Sequence, residues 1–515
     1  MSDSSRKRRM ELSTLLHDLH LSPSSEKPLP SASLPPITEL LSHMQEKLIG
    51  VSSESEKISL IGHLECLFQT ADPHWLFCPA STNQGDGWAE LRVSYGSLVS
   101  ALIGFAALPL CEDDCGSLPA AAYQSVPSRA APVCSALTAL LGTLGNGAGH
   151  TGLLMTAGPP VCVFAVTHFQ DQVWTSSSSR AAAKSLQEAL LRAGGWRDSA
   201  HLLMGDGSQE KRGILGGILD ILQPQLTKDS WQRCEAVKLV FAWTLLQVTL
   251  PSLSPHLPHL LPPSLLLNDH HRPENCMLGV RCLHHIVLNT PAADLRQFNT
   301  AEVLYQALFK HLYTTEAAVI QVVLPCLLDL LLVLETPPSS LSPSSSRRKP
   351  SHHDDVLRLV LTHMEAEHKV ALRHVYASAL PPYIDRMGVA ICRHLRRVER
   401  VVLGYLEVRD PPEETSRLKI LEVLQKTIRA AWPRMQCRVD VLLRCLLKLL
   451  LDVCSDSQLT DPVRQKLTGQ TVLCIGLLDG CSDGGLQSLL QQLDSSCCSS
   501  EMLRCLATVT MMTDR

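Results

Sequence analysis

Few side chains in this chain are spaced for chemistry, and each such set has a requirement it must meet. Cys276, Cys282, His284 and His285 lie close together and are zinc-ligating types. Zinc takes ligands that converge on one point, commonly as paired Cys and His spacings from two segments. On a helix Cys282 and His285 share a face, but Cys276 falls near the helix start and no second pair follows at a zinc spacing. The expected reading is a core cysteine beside surface or interface histidines. Gly147-x-Gly149-x-x-Gly152 matches the dinucleotide fingerprint letter for letter. That chemistry needs a strand before the glycines and a helix after, so that phosphate meets free backbone N–H groups. Here a leucine-rich helical piece precedes them and LLMTAGPP follows, so they read as a flexible loop. Cys111 and Cys115 flank Glu112, Asp113 and Asp114, an expected acidic surface loop, and Cys497–Cys498 reads as an exposed thiol pair. His363, Glu365, Glu367 and His368 read as a polar helix boundary. No P-loop, HExxH, GxSxG or kinase signature occurs. The expectation is a chain with no catalytic residues, no metal and no cofactor.

Residues suited to binding are easier to find. Arg393, Arg396, Arg397 and Arg400 fall on adjacent turns of one helical pattern, with Leu395, Val398, Val402 and Tyr405 on its apolar side. They form either a ridge for an acidic partner surface or a solvated face partly neutralised by Glu399. The run Arg6, Lys7, Arg8, Arg9 is either a nuclear-import signal or a solvated tail.

The elements that must carry these groups are helices. The chain has 515 residues, 45% apolar but only 4% aromatic, a balance of Leu, Val and Ala that favours helix over strand. A chain of this length exceeds one core. The formal charge of −4 gives no global pull toward nucleic acid or anionic lipid, and neither is an expected partner. The 19 cysteines, with no secretory signal in MSDSSRKRRMELS, suggest reduced thiols in the cytosol or nucleus. The apolar run 317–334 is interrupted by Gln321, Pro325 and Asp329, which suits a buried helix better than a membrane span.

Periodicity predicts helices over 38–49, 54–69, 88–108, 133–144, 179–193, 211–222, 234–248, 366–380, 389–407, 435–454, 461–478 and 485–493. Three more fill 274–335. The stretch 161–169 is strand-compatible but is read as helix. Pro251, Pro255, Pro258, Pro262 and Pro263 predict an irregular connection, and Pro381–Pro382 a helix stop. Asp354 and Asp355 suit a helix start, as does Pro411–Pro412 followed by Glu413 and Glu414. In 435–454 the polar residues Asp440, Arg444, Lys448 and Asp452 form one narrow stripe. Such a helix must be covered on both flanks, as inside a stack. The expected fold is all-α: an elongated α-solenoid of degenerate HEAT- or armadillo-like repeats, about eight to eleven helix pairs of roughly 40 to 47 residues. The expected organisation is a disordered tail (1–35), a first solenoid (36–335), a flexible Ser/Pro/Arg linker (336–353), a second solenoid (354–494) and a weakly ordered tail (495–515).

Five blocks carry a family resemblance: VFAVTH at 163–168, SWQRCEAVKLVFAWTLLQVT at 230–249, ENCMLGVRCLHHIVLNTPAADLRQFN at 274–299, HDDVLRLVLTHMEAEHK at 353–369, and RHLRRVERVVLGYLEVRDPPEETSRLKILEVL at 393–424. Over roughly 160–455 the chain resembles the Tel-two-interacting protein two family, the third subunit of the Triple T complex; the first 150 and last 40 residues match poorly. The resemblance implies a HEAT-repeat scaffold that binds Tel-two-interacting protein one directly and through it the Tel-two protein. It implies a co-chaperone adaptor joining the heat-shock chaperone machinery to phosphatidylinositol-3-kinase-related kinases, hence roles in DNA-damage and nutrient signalling in cytoplasm and nucleus. The candidate partner interface is Arg281, His284, His285, Tyr305, Arg393, Arg396, Arg397, Arg400 and Tyr405. A nuclear-transport solenoid is the alternative, and a cryptic nucleotide site at the Gly147 loop a third.

Overall fold

The computed structural model describes residues 36–78, 84–112, 118–144, 148–206, 213–340, 350–482, 485–486, 490 and 502–507. The expected basic run 6–9, the tail 1–35, the tail 495–515 apart from 502–507, the loop residues Asp113, Asp114 and Cys115, Gly147, linker residues 341–349 and Cys497–Cys498 fall outside them, though Pro36 onward is described. Among the described residues the chain is all α-helical, with no sheet. Contacts divide it into two units, Met1–Pro263 and Ser264–Arg515.

The first unit contains α1 (Ile37–Gly50), α2 (Glu54–Thr70), α3 (Gln84–Phe105), α4 (Val126–Thr143), α5 (Ala148–Phe169), α6 (Ser177–Ala193), α7 (Leu215–Leu222) and α8 (Glu235–Gln247). Local signals set the starts. The Ser53 hydroxyl accepts the Glu56 N–H at α2, and Ser176 and Ser179 form a reciprocal capping box at α6. The helices stack in two layers: α1 packs on α3 and α3 on α5, while α2 packs on α4 and α4 on α6. Each helix thus meets its next-but-one neighbour, the arrangement of a helical repeat array.

The helix α9 (Leu257–Asn268) begins in the proline-rich stretch and holds Pro262 and Pro263 within it. The expected irregular connection is therefore helical. Likewise α14 (Val370–Met387) runs through Pro381 and Pro382 instead of stopping there. A proline inside a helix loses one hydrogen bond and costs about 3 kcal/mol. Burial of Leu380, Pro381, Tyr383 and Ile384 on both sides of the break holds α14 together.

The second unit continues with α10 (Pro273–Asn289), α11 (Thr300–Phe309), α12 (Ala317–Leu334), α13 (His352–Ala366), α14, α15 (Leu395–Glu407), α16 (Thr415–Ala431), α17 (Val439–Ser455) and α18 (Asp461–Cys481). One layer runs α10, α12, α14, α16, α18, each packed on the next; α13, α15 and α17 form the other. Polar bonds between layer neighbours record the repeat directly. His284 meets Asp329 across 45 residues, Lys426 meets Asp385 across 41, Lys448 meets Glu407 across 41 and Gln425 meets Gln470 across 45. Those separations fall within the expected repeat length, although the letters themselves show no period.

The expected break at 336–353 is not where contacts thin. The Glu335 carboxylate accepts the His353 backbone N–H at 3.0 Å, and the short 3₁₀ turn Pro338–Ser340 packs on α14 and on the turn Gly388–Arg393. Gly388 sits at φ 50°, and a Cβ there would lie 2.9 Å from Ser339 Cβ. The described residues on either side of 341–349 are thus packed against neighbours.

Two helices, His150–Phe169 and Ala317–Leu334, are long and apolar enough to cross a bilayer, but 61% and 56% of their windows are buried against neighbours. Helix packing accounts for their apolar character, as expected for 317–334.

Candidate functional site

Three of the four arginines, Arg393 in the turn before α15 and Arg397 and Arg400 on it, reach across to the neighbouring helix. Arg393 reaches Asp354 at 3.6 Å, and Arg400 reaches Glu365 at 3.4 Å. Arg397 donates to the Thr362 hydroxyl and toward the Arg358 carbonyl. All of these partners lie on α13, so a parallel row of guanidinium contacts joins neighbouring helices of one layer. His394 strengthens it, its Nε2 lying 2.9 Å from the buried Asp354 Oδ1. Arg396, exposed on α15, forms no ion pair among the described residues, and Arg393 and Arg400 keep 38% and 62% of their side chains exposed. The ridge read from sequence is therefore partly engaged within the layer and still open to solvent.

The two tyrosines singled out are core residues, not surface ones. Tyr405 is 1% exposed, under the Arg373 guanidinium, which sits 3.7 Å from its ring centre. Tyr305 is buried between Phe309 and His352, with ring centres 5.3 and 4.6 Å away. Burial raises its phenol well above the usual range, and the nearby carboxylates of Asp355, Glu302 and Glu335 push the same way. A groove of about 560 Å³ opens beside Tyr305, lined by Phe309, Tyr313, Asp355, Arg358 and Arg397.

On α10, Arg281 is exposed, His284 Nε2 lies 2.9 Å from Asp329 Oδ2, and His285 lies 3.3 Å from the Asn289 amide. Cys282 is fully buried, and burial pushes its thiol up to about 12. The Cys276 sulfur lies 3.7 Å from His311 Nε2 instead of facing Cys282. These four side chains do not converge, and among the described residues no three His, Cys, Asp or Glu groups are arranged to hold a metal. Gly152 lies inside α5, with Arg92 Nη1 3.1 Å from where its Cβ would be. Cys111 is buried and donates its N–H to the Arg233 carbonyl at 2.8 Å. His363 stacks on Tyr376, Glu365 holds Arg400, and the Glu367 carboxylate accepts the His368 and Lys369 N–H groups.

Sequence reasoning missed two polar clusters. Around the chain's DPPEETSR run, Asp410 accepts the Ser416 N–H at 2.6 Å and lies 2.7 Å from His374, while Glu414 pairs with Arg417 at 3.5 Å. Glu414 and Arg417 are buried and Glu414 sits at φ 52°, so Glu414 closes the turn from inside. Desolvation raises its carboxyl, opposed by Arg417. The second cluster is Glu335 with His352 and His353. Burial would raise Glu335, but hydrogen bonds from the His353 ring and backbone win and hold it at about 2. Both clusters bridge residues distant in sequence, and no local signal announces them. Nothing in either offers an open position for substrate; they fasten turns.

The model of the Tti2 family matches residues 219–411. Human TELO2-interacting protein 2 is 49% identical over 352 residues, 68% of this chain and 68% of that one. The rat protein of the same name is 42% identical over 436 residues, covering 83% of this chain and 84% of its own. Among solved structures, Kap121p bound to Nup53p aligns at 13% identity with a TM-score of 0.43, covering 98% of this chain and 43% of that chain. A structure of Kap95p with RanGDP aligns at 13% identity and 0.45, covering 88% and 59%. At these scores the structural likeness says nothing about function.

Proposed function

Because the chain belongs to the Tti2 family, we propose that it is a non-enzymatic adaptor subunit of the Triple T co-chaperone complex. In this reading it binds Tel-two-interacting protein one directly and the Tel-two protein through it. The complex presents phosphatidylinositol-3-kinase-related kinases to the heat-shock chaperone machinery and supports their folding and assembly, in cytoplasm and nucleus, upstream of DNA-damage and growth signalling. The observation that carries the reading is 42 to 49% identity, over most of both chains, to proteins named for interacting with TELO2. The fold suits the role. Two-layer helical stacks expose helix rows and turn edges without moving parts, and their buried polar clusters fix those surfaces before a partner arrives.

The test is affinity capture with the intact chain. Capture should recover TELO2 and its large helical partner reproducibly and resist moderate salt. Recovery of neither, from cells that contain both, would contradict the proposal.

A further inference from the structure

We propose that one turn edge of the second unit docks an acidic segment of a partner protein, which lays an apolar residue on Trp432. The inference deepens the adaptor reading and rests on it.

The edge is built from two successive turns of the repeat. Gly388–Arg393 follows α14 and Trp432–Arg434 follows α16, and both pack on α16. Each presents a large apolar side chain to solvent: Val389 is 64% exposed and Trp432 63%. Tryptophan is costly to leave wet and is enriched in the energetic centres of interfaces, as is arginine. The Cys437 thiol reaches back to the Arg434 carbonyl at 3.5 Å, and Arg438 pairs with Glu399 of α15, so the turn holding Trp432 is anchored. Arg434 lies close enough to Cys392 for its charge to oppose the effect of burial on that thiol. Arg396 stands three positions before Glu399 on α15, and Glu399 meets Arg438 of the turn that follows Arg434, which brings both exposed arginines to the same edge.

The charge balance selects the occupant. Glu399 is engaged by Arg438, Asp385 by Lys426 and Glu365 by Arg400, while Asp440, exposed at the start of α17, stands one turn before the exposed Arg444. Arg396 and Arg434 form no ion pair among the described residues. The edge is therefore apolar at its centre and positive at its rim, complementary to an acidic segment with an apolar anchor. A second copy of this chain docking face to face would set the arginines against each other. Nucleic acid needs a longer basic track than two free guanidinium groups provide.

Fluorescence anisotropy with the full chain tests this directly. The probe is a fluorescein-labelled peptide of about 14 residues, Asp and Glu around a central Leu-Phe pair. The expected result is saturable binding that weakens about tenfold between roughly 50 and 300 mM salt. Arg396→Glu and Arg434→Glu should each weaken it about fivefold or more, and Trp432→Ala about tenfold. Lys184→Glu, exposed on α6 of the first unit, should leave binding unchanged. Because Arg396, Arg434 and Trp432 are exposed, unfolding midpoints should match the parent and separate lost binding from lost fold. No saturable binding, equal binding of a peptide with Lys in place of every acid, or tighter binding of a single-stranded oligonucleotide would overturn the proposal. Such a failure with TELO2 capture intact would remove this edge and leave the adaptor reading standing.

Discussion

Single residues show how the chain fixes its surfaces, and two of them make sharp predictions. Phe298 and Asn299 both occupy the left-handed backbone region, at φ 52° and 60°, just before α11. That region costs an L-residue about 1–2 kcal/mol, and Phe298 is 90% exposed, so no packing offsets it. Phe298→Gly should therefore stabilise the chain by about 0.5–1 kcal/mol, after allowing for glycine's looser unfolded state, as read from the urea midpoint. Glu335 makes the pH prediction. Its carboxyl is held at about 2, below the ordinary 4.5, by His353. A depressed carboxyl contributes stability that is complete above about pH 4.5 and fades as pH falls toward 2. Glu335→Gln should lower the melting temperature at neutral pH and flatten the loss of stability across that acid window. An unchanged acid slope would show that the His353 contact contributes nothing. Neither residue was legible beforehand, since a positive φ and a pairing across 18 positions leave no trace in local pattern.

At the scale of elements, the repeating helices were legible where one face is apolar and the caps are ordinary. The pattern over 54–69 became Glu54–Thr70, and that over 179–193 became Ser177–Ala193. The stripe Asp440, Arg444, Lys448 also faces outward on α17, its flanks covered by α15 and α18. Prolines misled, because tertiary burial carries α9 and α14 across positions that local rules assign to breaks. The arginine row misled differently. Spacing placed Arg396, Arg397 and Arg400 on one helix, with Arg393 falling in the turn before it, but could not reveal that Asp354, Thr362 and Glu365 wait on the neighbouring helix. Close helix approach is tested at Gly279 of α10. A Cβ there would lie 2.2 Å from the Asn268 backbone nitrogen. The Asn268 side chain in turn bonds the Ala307 carbonyl at 3.3 Å and meets His311 at 3.1 Å. Gly279→Ala should cost about 1–3 kcal/mol by forcing α10 off α9's end, despite alanine's better helix propensity. A neutral or stabilising result in chemical denaturation would mean the helices slide apart freely.

For the whole molecule, composition foretold an all-α repeat protein, and the family followed from long collinear blocks instead of any reactive constellation. The contact boundary between its two units falls at Pro263 and Ser264, inside α9, where no local signal in the sequence marks it. The candidate binding edge was half visible: Arg396 was in view, whereas Trp432 and Arg434 gain meaning only once their turn lies beside the preceding one. In the proposed adaptor role many modest surfaces act together, so loss of the whole chain is more telling than loss of any one residue. The most direct measurement is a pulse–chase of phosphatidylinositol-3-kinase-related kinases after acute degradation of this protein. The account predicts that newly made kinases disappear several-fold faster while their messenger RNA levels stay constant. Unchanged kinase half-lives, with the protein gone, would contradict it.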